Sequence, residues 1–206
     1  MNMVNKIIMK RLLFALAFVA TAYTGAFAQS ARQILDKTAN VIGSRSGVKA
    51  NFKMSGRLGK SSGTVAIKGN KFNAYTPQAV VWYDGKTQWT YMKHSGEVNV
   101  STPTEAQQQA LNPYKFIYIY KNGYNLSAKK SGSGWQVHLV AQNQKRTIKE
   151  MYVTVSSSYQ LSQVKMRQSG GWTTINVSGF RKATLSDSQF RFNSREYPNA
   201  EIIDLR

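Results

Sequence analysis

The sequence predicts an α+β protein that is mainly antiparallel β: one curved sheet, a helix before it and a helical insertion within it. Three observations carry this. Residues 31–42 place apolar side chains at helical spacing. From Val48 onward the apolar period changes to two in several separate runs. Asp84-Gly85 and other glycine- and serine-rich breaks separate those runs at hairpin distances.

Residues 1–28 read as a leader rather than as part of the fold. Lys6, Lys10 and Arg11 form a basic start, Leu12 to Tyr23 an apolar stretch too short to span a bilayer, and Ala26-Phe27-Ala28 a small-x-small cleavage site. Cleavage after Ala28 leaves an exported chain, Gln29 to Arg206, that reads as a single domain.

The elements follow in order. Ser30-Ala31-Arg32-Gln33 is a capping box. Ala31, Ile34, Leu35, Thr38, Val41 and Ile42 form the apolar face of an amphipathic helix, and Gly43 stops it. Val48, Ala50, Phe52 and Met54 then alternate with polar residues. Further strands are expected at residues 64–68, 71–76, 80–83, 87–93 and 97–100, with Asp84-Gly85 and His94-Ser95-Gly96 as turns. Thr102-Pro103-Thr104-Glu105 combines an N-cap, a proline at the first helical position and a capping-box acid. The helix it starts runs to about Leu111, before Asn112-Pro113. Residues 114–120, YKFIYIY, fit helix or strand. Alternation resumes at Trp135, Val137 and Leu139, at Met151, Val153 and Val155, at Val164 and Met166, and at Ile175 and Val177.

Chemistry is sparse. The chain has no cysteine, which removes disulfides, thiol catalysis and a lipid-modified N-terminal cysteine. Gly59-Lys60-Ser61-Ser62-Gly63 matches G-x-S-x-G, but it lies between two strands and reads as a hairpin turn, not a nucleophile elbow. His94 sits in a turn and His138 alternates out of phase with Val137 and Leu139, a poor basis for a metal site. The nine acids form no evident dyad. The reading is therefore of a protein that is no enzyme and needs no cofactor.

The formal charge is +19, and the leader carries three of those positive charges and no acid, leaving +16. Such an excess suits a solvated surface, an anionic membrane, an acidic partner or an anionic polymer. Basic residues cluster only as pairs in the exported chain, and an exported chain rarely meets genomic DNA, so nucleic acid is not expected as a partner. An apolar sheet face needs a covering layer. The helical segments could cap a packed core or form a lid over a cavity, and composition alone favours the packed core.

Several motifs point to a family. Trp82-Tyr83-Asp84-Gly85-Lys86-Thr87-Gln88-Trp89-Thr90-Tyr91 is similar to a D-G-K-x-x-W-x-Y hairpin, followed by the strand Glu97 to Val100. Asn112-Pro113 resembles an N-P near a central lid segment. Phe190-Arg191-Phe192, Pro198 and Ile203-Asp204 are similar to an F-x-F…P…V/I-D ending. Together they make the exported chain resemble LolA-type periplasmic lipoprotein carriers along its whole length. The resemblance implies an incomplete, strongly curved β-barrel, a half-barrel, covered by an α-helical lid. It also implies a monomeric periplasmic chaperone that takes acylated lipoproteins from an inner-membrane lipoprotein release complex to an outer-membrane acceptor. The alternatives are a lipid- or lipoprotein-sensing regulatory module on the same scaffold, or a basic exported binder of anionic polymer.

On this reading the wall candidates are Phe52, Met54, Ile67, Phe72, Trp89 and Tyr91, then Val98, Val137, Leu139, Met151, Val153 and Met166, with inward faces assigned by alternation. Ile34, Leu35, Leu111, Phe116 and Ile117 are lid candidates. Two departures stand out. The family's lid-fastening arginine, in a K-R-P-x-x-F context, is replaced by Ile67-Lys68-Gly69-Asn70-Lys71-Phe72, where Lys68 is a possible lid contact without arginine's rigid fork. The glycine after the C-terminal proline is also missing, since Asn199-Ala200 follow Pro198.

Overall fold

A computed structural model describes residues 30–57, 59–104, 107 and 118–206. The leader and the lid candidates Leu111, Phe116 and Ile117 lie outside those residues.

Helix α1 (Ala31–Ile42) starts at the expected capping box: the Gln33 amide donates to Ser30 Oγ at 3.2 Å, and the Ser30 amide donates to Gln33 Oε1 at 3.1 Å. Gly43 ends the helix, donating its amide to the Ala39 carbonyl. The face carrying Ile34, Leu35, Thr38, Ala39 and Ile42 is buried.

Among the described residues, twelve strands follow in one sheet. They are β1 (Val48–Gly56), β2 (Ser61–Lys68), β3 (Lys71–Tyr75), β4 (Ala79–Tyr83), β5 (Gln88–Met92) and β6 (Glu97–Ser101), then β7 (Tyr124–Ser131), β8 (Gly134–Ala141), β9 (Glu150–Val155), β10 (Leu161–Gln168), β11 (Gly171–Lys182) and β12 (Glu201–Asp204). Their order is β12-β6-β5-β4-β3-β2-β1-β11-β10-β9-β8-β7, and the two end strands do not pair, so the sheet stays open. Neighbours are antiparallel except β12, which runs parallel to β6.

Side chains of β3 and β8 line one cavity, although six strand steps separate them. Flat, those steps would span about 29 Å at roughly 4.8 Å each. The sheet therefore curls, and α1 lies on its concave side, against β7 and β8. On the convex side, residues after β11 run back across β2–β4. Leu185 and Phe190 bury against Ala66, and Phe192 and Tyr197 pack on Trp82 with ring centroids at 5.6 and 5.5 Å. The molecule thus has two apolar layers, one on each face.

Several expectations need correction. Ser61, Ser62 and Gly63 belong to β2 rather than to a turn. Gly63 is required by close approach, because a Cβ there would meet the Tyr75 carbonyl oxygen at 1.8 Å. In the insertion, the amide of Gln107 donates to Thr104 Oγ1 and the amide of Thr104 to Gln107 Oε1, so Thr104 takes the capping position expected of Thr102. Strands β7 and β12 were not among the expected strands: β7 alternates only through Tyr124, Leu126 and Ala128 before its exposed lysines, and the four-residue edge strand β12 shows no alternation.

Candidate functional site

A cavity of about 550 Å³ lies between the concave face and α1. Cross-strand register explains its wall. Phe52 pairs with Gly63, Met54 with Ser61, and Ile67 with Phe72, so these side chains share one face. On the far flank Leu139 pairs with Met151, and Met151 with Met166. Leu35 and Ile42 close the space from α1.

Of the expected wall residues, Phe52, Met54, Ile67, Phe72, Leu139, Met151, Val153 and Met166 line this cavity. Trp89, Tyr91 and Val98 do not. Trp89 pairs with Trp82, while Tyr91 pairs with Val80 and Val98, which puts all of them on the convex face. There Tyr91 packs on Tyr197 at 4.7 Å. The inward positions of β5 are Gln88, Thr90 and Met92. Local pattern cannot choose between two apolar faces. Val137 does face inward, at 0% exposure in the cluster that holds Ile34 and Leu35, but its side chain does not reach the cavity.

Alternation also missed wall residues. Leu161 and Phe180 line the cavity because bulges reverse the phase of their strands. In β11 the pairing jumps between Asn51–Ser178 and Lys49–Arg181. Gly179, at φ +59°, absorbs the extra residue. Val177 and Phe180 can then both face inward while Arg181 turns out. A glycine inside an otherwise regular strand was the available signal.

Lys68 is another correction. It lies on the convex face beside Ala66 and donates to the Leu185 carbonyl at 2.8 Å and to Asp187 Oδ1 at 2.9 Å. Lys71 holds the other Asp187 oxygen at 2.7 Å. Bonds from Lys71 and Lys68 bring the Asp187 carboxyl down to about 2. The pair fastens the C-terminal segment, not the helix on the opposite face.

The helix has other fastenings. Tyr120 donates its hydroxyl to Asp36 Oδ1. Burial first, and that bond second, push the Tyr120 hydroxyl well above its usual range. Lys37 donates to the Tyr159 hydroxyl at 3.1 Å, and the Tyr159 ring stacks on Trp135 at 5.0 Å.

Among the described residues, no group of histidine, cysteine and carboxylate side chains could hold a metal. His138 lies out of phase with Val137 and Leu139, on the convex side, with Nε2 at 2.9 Å from Glu150 Oε1. Burial would raise the Glu150 carboxyl, but bonds from His138, Tyr152 and Arg167 outweigh it and hold it below its usual range. The cavity wall is almost wholly hydrocarbon, with Ser61, Thr76 and the Tyr120 hydroxyl as its few polar groups. It can bind apolar matter, and among the described residues its wall presents no nucleophile with an activating base.

The family profile described as outer membrane lipoprotein carrier protein LolA matches residues 22–170. No curated protein matches the chain in sequence. Among solved structures, the chain is similar to an uncharacterized conserved protein from Thermus thermophilus, at 13% identity and a TM-score of 0.58, over 84% of this chain and 98% of that one. It is also similar to a LolA superfamily protein from Nitrosomonas europaea, at 10% identity and a TM-score of 0.44, over 80% and 99% of the two chains. A third is the MucA/MucB complex of Pseudomonas aeruginosa, at 10% identity and a TM-score of 0.46, over 80% and 61%. At 13% identity the likeness to the Thermus thermophilus protein concerns the fold alone.

Proposed function

The chain belongs to the LolA family of outer membrane lipoprotein carrier proteins, a family of binding and carrier proteins rather than enzymes, and on that premise we propose that it carries lipoprotein acyl chains across the periplasm. The observation that carries this reading is the apolar cavity under α1. Its volume of about 550 Å³ lies inside the range of about 300–1,000 Å³ common for small-molecule sites. Phe52, Met54, Ile67 and Phe72 hold the acyl chain from one flank, and Leu139, Met151, Val153 and Met166 from the other. Each methylene moved from water into such a site contributes about 0.8 kcal/mol. No covalent step is needed to gain affinity.

A carrier must also release. α1 closes the cavity with Leu35 and Ile42 and is fastened at its rim by Asp36–Tyr120 and Lys37–Tyr159. Opening therefore breaks those fastenings and uncovers the apolar face of α1, while the sheet ladder stays whole. The leader, removed after Ala28, delivers the chain to the periplasm. There, as a monomer, it takes its cargo from an inner-membrane release complex and passes it to an outer-membrane acceptor.

Native mass spectrometry of the protein purified from its host tests the reading. Co-purified acyl species, and displacement of a fluorescent fatty acid by a triacylated lipopeptide, are the expected results. Protein that is always empty and takes up no lipopeptide would sink it. Deleting the gene separates carrier from sensor: a carrier's loss strands lipoproteins at the inner membrane, whereas a sensor's loss changes a stress response and leaves them in place.

A further inference from the structure

A second cavity, of about 690 Å³, lies on the convex face between the sheet and the C-terminal segment. It shares no chemistry with the first. Its floor follows a cross-strand row in which Arg181 pairs with Lys49, Lys49 with Ala66, Ala66 with Asn73 and Asn73 with Trp82. Asn51, Thr64 and Tyr75 form the next row. Gln189 and Asn193 stand in the opposite wall.

The groove is graded along its length. Lys49 and Arg181 sit side by side at one end, and no ion pair ties either to a carboxylate among the described residues. Arg181 donates to the Gly179 carbonyl at 3.3 Å. Of the other charges in the wall, Arg191 is paired, with Nε 3.2 Å from Asp84 Oδ2, while Glu196 is a carboxylate whose Oε1 accepts from the neutral Asn193 Nδ2 at 2.9 Å, so an anion is placed at the Lys49–Arg181 end. Exposed amide and hydroxyl groups of Asn51, Thr64 and Gln189 occupy the middle. At the far end Tyr75 is 43% exposed, a large value for a ring beside the buried Trp82. The cation pair itself depends on the β11 bulge. Unbroken alternation would put Arg181 on the face of Ile175 and Val177, inside the apolar cavity.

We propose that this groove binds an acidic saccharide. Its carboxylate or phosphate sits between Lys49 and Arg181, its hydroxyls meet the amides of Asn51 and Gln189, and one sugar face rests on Tyr75. Two adjacent cations suit one anionic substituent, and charge-assisted bonds of this kind are the strong ones. Side-chain amides both donate and accept, as sugar hydroxyls do. An acidic peptide suits the groove less well. The floor is a sheet face whose backbone groups are spent in the ladder, so it offers no strand edge for a peptide backbone to join. The site lies across the sheet from the apolar cavity, so it stands apart from the carrier reading.

Isothermal titration of the purified protein with tetragalacturonate, mannose 6-phosphate, neutral cellotetraose and hexaglutamate tests the proposal. One of the two acidic sugars should bind, which also identifies the acid, while cellotetraose and hexaglutamate should bind far more weakly. The double variant Lys49→Met, Arg181→Gln keeps the apolar stems and should weaken binding by about tenfold or more. Its far-ultraviolet circular dichroism and melting temperature should match the unaltered protein, which shows that it has folded. Failure of both acidic sugars to bind at millimolar concentration, tighter binding of hexaglutamate, or undiminished affinity in the double variant would overturn the proposal.

Discussion

Ile34 and Phe52 both point into the concave side, yet they do different things. Ile34 is 0% exposed and belongs to the packed cluster under α1. Phe52 is half-buried, because part of its surface faces the cavity rather than another side chain. Truncating a packed side chain forfeits both transfer energy and contacts. Ile34→Ala is therefore expected to cost about 2–5 kcal/mol in urea unfolding. Phe52→Ser should cost less stability and weaken lipopeptide binding several-fold. Trp89→Ala supplies the control, since its ring lies on the convex face: lipopeptide affinity should not change. Weakened affinity in that variant would mean that the convex face takes part in binding.

At the level of elements, the C-terminal segment shows how a short stretch without regular structure is held. Leu185 and Phe190 bury against the sheet, and Asp187 bridges Lys68 and Lys71. The Asp187 carboxyl is brought down to about 2, from an ordinary value of 3.8. A depressed carboxyl contributes stability above its unfolded pKa and loses it as pH falls through the folded one. The clasp should therefore hold unchanged from neutral pH down to about 4, then fail toward pH 2. Hydrogen exchange at residues 185–192 measures this directly. Asp187→Asn should show faster exchange at pH 7 and lose that acid-dependent step. Edge strands carry their own safeguards: β7 presents Lys129 and Lys130, and β12 is only four residues long.

At the scale of the whole molecule, one sheet serves two compartments. The concave face holds an apolar cavity, and the convex face carries a second apolar layer beside a polar groove. Val80, Trp82, Val98 and Val100, nearly inaccessible in the intact chain, lie on that convex side. Ending the chain at Ala183 would remove Phe192 and Tyr197 from Trp82 and strip β12 from β6. Exposed apolar patches of this kind drive association. The truncated protein should sediment as aggregates or bind a hydrophobic dye strongly, and a soluble monomer with unchanged melting temperature would contradict the two-layer description.

Local rules determined much of this protein from sequence alone. The Ser30–Gln33 capping box, the Gly43 stop, the Asp84-Gly85 hairpin and most strands depend on neighbours within a few residues, so the chain itself carries that information. The motif pattern from Trp82 to Asp204 pointed to the family, and eight of the twelve wall candidates line the cavity. Tertiary structure alone decided which face of β4–β6 looks inward, because both faces are apolar and the covering residues come from about a hundred positions later in the chain. It also decided the phase of β10 and β11, where one extra residue in each strand reverses the alternation. The partner of Lys68 was set in the same way. A lysine reaches whatever acid the fold brings near, and here the fold brings Asp187 on the face away from the helix.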